Sequence, residues 1–136
     1  MRRLEYEIGG VSALHARKED HTEMGHMMHQ DLLTAIARCA AECDHCVYNT
    51  CLGDPNMKTC GQLCLDCAQA CHSTSVFVSR MSPFMAEALR SCADICDACA
   101  AECEKFPDSE DMMRCARVCR ECAGACRDAS RQKAAA

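Results

Sequence analysis

The chain has no tryptophan, two tyrosines and three phenylalanines among its 136 residues. An ordinary core draws its bulk from large rings, and Tyr6, Tyr48, Phe77, Phe84 and Phe106 are too few to supply it. β-Branched residues are also scarce along the long segments, which leaves no support for strands. No apolar run approaches the roughly 18 residues a membrane span requires. Acidic and basic residues are interspersed around a net charge of −5, without the basic block that tracks phosphates, so nucleic acid is not an expected partner. After Arg2 and Arg3 the chain runs straight into Glu5, Glu7, His15, Arg17 and Glu19. That is not the apolar run of an export signal, and a cytoplasmic location is expected.

Against these shortages stand 16 cysteines and nine methionines. Cysteine at this density marks either a disulfide scaffold or a metal protein. In a reducing compartment the second reading is favoured, and the cysteines are candidate ligands.

Turn signals are few: Gly53, Asp54 and Pro55; Ser82 and Pro83; and Phe106, Pro107, Asp108 and Ser109. They cut the chain into helices expected at about 28–51, 57–80, 83–104 and 109–130. Ser82 is expected to cap the third helix with Pro83 at its first position, and Asp108 or Ser109 to cap the fourth. Connections this short make successive helices antiparallel, so the expected fold is all-α, an antiparallel up-and-down four-helix bundle. Its span is about 28–131, preceded by a loose or partly helical segment 1–27 and followed by a short tail, 132–136. The end of the leading segment, with His21, Met24, His26, Met27, Met28 and His29, is rich in imidazole and thioether.

Three segments carry the same spacing, C-x3-C-x2-C-x3-C: Cys60, Cys64, Cys67 and Cys71; Cys92, Cys96, Cys99 and Cys103; Cys115, Cys119, Cys122 and Cys126. At about 100° per residue, offsets of four, seven and eleven fall within an arc of about 60°, so each set is one stripe facing the bundle axis. The first helix begins the pattern with Cys39, Cys43 and Cys46 and then breaks it. Thr50 holds the fourth position, and Cys51 can join the stripe only if the helix end unwinds. The inward positions beyond the stripes are Met28, Leu32 and Ile36, then Thr74, Ser75 and Val78, then Met85, Ala88 and Leu89. All fall at one end of the bundle. The interior is therefore expected to be zoned, with an apolar plug at one end and a thiol-lined tube at the other, opening near Met57, Met112 and Met113.

Thiolate and thioether are soft donors that favour Cu(I), Zn(II) and iron–sulfur clusters. Zinc prefers closed tetrahedral sites on turns, whereas these C-x2-C pairs lie within helices. Continuous stripes suit Cu(I), which is content with few sulfurs, so multiple Cu(I) ions are the expected cargo. A zinc buffer and a thiol or iron–sulfur redox protein are the alternatives. Nothing in the pattern calls for catalysis.

With the stripes, the segment SPFM (Ser82 to Met85) and the segment CADICDACAAEC (Cys92 to Cys103) in view, the chain resembles the bacterial copper storage proteins over about residues 30–130. The resemblance implies a cysteine-lined bundle that stores many Cu(I) ions, a homotetramer, and exchange with copper donor or acceptor proteins. It assigns storage to the cysteines named above. Relatives tend to place histidine at the mouth, where this chain has methionine.

Overall fold

The computed structural model describes residues 23–135. Four helices run in sequence: α1, Glu23–Cys46; α2, Lys58–Ser79; α3, Met85–Cys103; and α4, Glu110–Ala135. α1 packs against α2 and α4, and α3 packs against the same two, which is the cyclic neighbour order of an up-and-down bundle. There is no strand among the described residues. No described helix is long and apolar enough to cross a membrane.

Local chemistry sets the helix ends. The Asp54 side chain accepts from the Asn56 N–H at 2.9 Å with Pro55 next in line, and this starts a 3-10 turn, Pro55–Met57, that leads into α2. Ser82 Oγ accepts from the Phe84 N–H at 3.1 Å, so it caps a leading turn, and α3 begins at Met85 rather than at Pro83. Ser109 Oγ accepts from the Met112 N–H at 3.3 Å and caps α4. Glu110 and Asp111 in the first turn of α4 and Lys133 in its last complement the helix dipole. α4 is also longer than expected and takes in most of the tail.

The turn between α2 and α3 closes with Ser82 N–H on Phe77 O and Met81 N–H on Val78 O, both at 3.0 Å. This is the paired hydrogen bonding of a Schellman motif, with Met81 at φ 50° in the position usually given to glycine.

At this end of the bundle Leu32, Ile36, Val78, Met85 and Leu89 are buried. They form the expected apolar plug together with Thr74, whose hydroxyl donates to Ala88 O at 3.4 Å. Ser130 supplies the α4 share of the plug and donates to Ala86 O at 3.3 Å. It sits four residues beyond Cys126, so the stripe spacing already pointed to it. Ser75 and Ala88 are only half-buried. The inward position given to Met28, and the tract His21, Met24, His26 and Met27, lie outside the residues whose side chains are described.

Ion pairs tie the outer faces. Arg120 bonds Asp97 and Glu104, each at 3.0 Å, and Arg127 bonds Asp94 and Asp97, joining α4 to α3. Arg114 on α4 reaches Glu42 on α1 at 2.6 Å.

Candidate metal centre

Every cysteine is a free thiol, and none is more than 4 % exposed. The stripes face inward because their spacing follows the helical repeat, and the alanines beside them (Ala40, Ala68, Ala93, Ala100, Ala116 and Ala123) are buried too. Small neighbours let the helices approach until thiols from different helices touch.

The shortest contacts cross between helices: Cys60 to Cys103 at 3.3 Å, Cys64 to Cys99 at 3.4 Å, and Cys43 to Cys119 and Cys67 to Cys96 at 3.5 Å. Neighbours on one helix stand farther apart, at 3.9 Å for Cys92 and Cys96 and 4.0 Å for Cys115 and Cys119. The closest sulfur pairs are therefore shared between helices rather than formed within one.

Four groups bring four Sγ atoms within 4.8 Å of one another: Cys39, Cys43, Cys67 and Cys119; Cys39, Cys71, Cys96 and Cys122; Cys43, Cys64, Cys99 and Cys115; and Cys46, Cys64, Cys103 and Cys115. A fifth joins Cys92, Cys122 and Cys126. The groups overlap along the tube through shared thiols. This is what four stripes in register produce.

The methionines divide. Met112 is fully buried, and its Sδ accepts from Cys46 at 3.3 Å and from Cys60 at 3.8 Å. Met113 is 39 % exposed. The sequence carried the signal: Met112 lies three residues before Cys115, on the stripe, and Met113 lies one step round. Met57 is half-buried against the core and lines a cleft of about 430 Å³ that also touches Val47, Cys51 and Gly61. His45 and His72 are exposed.

Cys51 reaches the interior by a π-helical turn, Val47–Cys51, that continues α1. Its Sγ stands 4.0 Å from that of Cys46.

Burial pushes the Cys51 thiol up, and the neighbouring sulfurs of Cys46 and Cys60 add to the effect. In the Cys60–Cys103 contact, the hydrogen bond from Cys103 holds Cys60 below the ordinary thiol range, while Cys103 is pushed up by its bonds to Cys115, Cys46, Cys60 and Cys64 and by burial. Soft donors, nearly dry surroundings and sulfurs already gathered in threes and fours define a metal-holding, thiol-lined helical bundle.

Within that class the chain is specific. The copper storage protein family matches residues 25–131, and the chain belongs to that family. It is 36 % identical over 76 residues to the cysteine-rich protein YhjQ of Bacillus subtilis, covering 54 % of this chain and 69 % of that one. Among solved structures it is similar to Cu(I)-bound copper storage protein 3 and to the metal-free form of that protein from Bacillus subtilis. Both are 34 % identical with a TM-score of 0.70, over 74 % of this chain and 96 % and 97 % of theirs. A Nitrosospira multiformis protein is 29 % identical with a TM-score of 0.71, over 78 % of this chain and 97 % of its own.

Proposed function

We propose that the chain stores several Cu(I) ions on the thiolates of its bundle interior, as a buffer and not a catalyst. The observation that carries this reading is that all sixteen thiols are buried in one continuous interior, where an unpaired anion is costly and a soft monovalent cation offsets it. The ligands are Cys39, Cys43, Cys46, Cys51, Cys60, Cys64, Cys67, Cys71, Cys92, Cys96, Cys99, Cys103, Cys115, Cys119, Cys122 and Cys126, with Met112 at the mouth. Met57, beside Cys51 in the cleft, serves entry. So many free thiols require a reducing compartment, which favours the cytoplasm. Family membership favours a homotetramer.

Anaerobic titration of the reduced protein with Cu(I) against a competing chelator tests storage. Uptake of several ions per chain is expected, and fewer than about four would overturn the reading, since that is less than one ion per stripe.

Zinc is the second reading, because four sulfurs within 4.8 Å are also the makings of a tetrahedral site. The overlap of those groups counts against it. Cys39, Cys43, Cys64 and Cys115 each belong to two of them, and closed sites cannot share freely.

A further inference from the structure

Cys46 and Cys51 are five positions apart, a separation that in an α-helix turns the second side chain well away from the first. Had α1 kept its register, Thr50 would have entered the tube and Cys51 would point about 100° aside. Instead Leu52 N–H bonds Val47 O at 3.1 Å, an i to i+5 bond that widens the turn by one residue. Cys51 then lies 4 % exposed beside Cys46.

Two contacts from other helices match this register. Thr50, turned out of the tube, donates its hydroxyl to Asp111 Oδ2 on α4 at 2.8 Å. On α2, Gly61 is buried against the same turn, and a Cβ built there would stand 3.2 Å from the Cβ of Cys51. Glycine inside a helix is less favourable than alanine, and here that cost is matched to a close approach.

We propose that Thr50 and Gly61 are positioning residues that hold the π turn and thereby turn Cys51 into the mouth of the tube as a copper ligand. This rests on the storage reading above. Thr50 fixes the turn from α4, and Gly61 leaves the space that the Cβ of Cys51 needs. Together they replace the thiol that the repeat omits at position 50, and they place it between Cys46 and the cleft bearing Met57.

The test uses the full-length reduced, metal-free protein, with maleimide labelling read cysteine by cysteine by mass spectrometry. In Thr50→Val and in Gly61→Val, Cys51 is expected to label faster by about tenfold or more through local opening, while Cys64 and Cys99 stay protected. The Cu(I) count of both variants should fall to that of Cys51→Ser. Unchanged protection of Cys51 in Thr50→Val, the milder variant, overturns the proposal. So does equal exposure of all thiols in both variants, or a wild-type copper count in variants whose Cys51 has become reactive. If the wild-type protein takes up no copper, the storage reading fails instead, and the labelling pattern still reports whether the two residues hold Cys51.

Discussion

The Cys46 thiol donates to the Met112 thioether across 3.3 Å, joining the last turn of α1 to the first turn of α4 at the end of the bundle away from the apolar plug. Met112 Sδ also accepts from Cys60 on α2, so one thioether meets thiols from two other helices. A neutral sulfur there can pass Cu(I) inward without holding it as tightly as a thiolate.

Met112→Leu keeps the side-chain volume, at a stability cost below about 1.5 kcal/mol, and removes the sulfur. Transfer of Cu(I) from a chelator should slow while final capacity stays within about one ion of wild type. Met113→Leu, at an exposed position, should leave both unchanged. Stopped-flow transfer separates the two, and equal rates for both variants would refute a role for the Met112 sulfur.

Changing Cys64, Cys67, Cys96 and Cys99 together to serine removes at least one member from each of the four-thiol groups and spares the group of Cys92, Cys122 and Cys126. Bound copper should fall by at least about a quarter, the share of thiols removed, because hydroxyl is a poor donor to a soft ion. Helicity should persist in the metal-free form, since the plug around Ile36, Met85 and Leu89 is untouched. Collapse of the far-UV circular dichroism would show that these thiols are structural.

The stripes were legible because C-x3-C-x2-C-x3-C states a helical period directly, and the antiparallel bundle followed from the short turns. Ser130 and Met112 obey the same spacing and were open to the same argument. The burial of Cys51 was not, since its register depends on Gly61 and on the Thr50–Asp111 bond. Both are tertiary contacts between segments far apart in the chain. Pairing between stripes was likewise hidden: periodicity gives the face of each helix but not which thiols of neighbouring helices stand level.

Acid should loosen the bundle through its outer face. Burial alone would raise the Asp97 carboxyl, but hydrogen bonds and charge from Arg127 and Arg120 hold it below its ordinary value, and Arg120 lowers Glu104 as well. Depressed carboxylates give stability that is complete above the unfolded range near 4 and is lost as pH falls through the folded values. Arg120→Ala should therefore lower the Tm of the metal-free protein slightly at neutral pH, since both pairs are partly exposed. The variant and wild type should converge as pH falls through the folded values and the carboxylates become protonated in both. An undiminished difference there would show that Arg120 acts through packing.

Zinc and copper should fill the tube to different extents because the four-thiol groups overlap. The first two share Cys39, the first and third share Cys43, and the third and fourth share Cys64 and Cys115. No more than two of the four can be occupied at once without a shared thiol. Zn(II), which closes its shell with four ligands, should therefore saturate near about two tightly bound ions per chain. Cu(I) can divide the same sulfurs among more ions and should exceed that severalfold. Loading either metal should release protons, because thiols such as Cys51 are held protonated by burial until a cation replaces the proton. Parallel titrations with a pH indicator in weak buffer measure stoichiometry and proton release together. Equal saturation by the two metals would mean that tetrahedral sites, and not a shared sulfur lining, set the capacity.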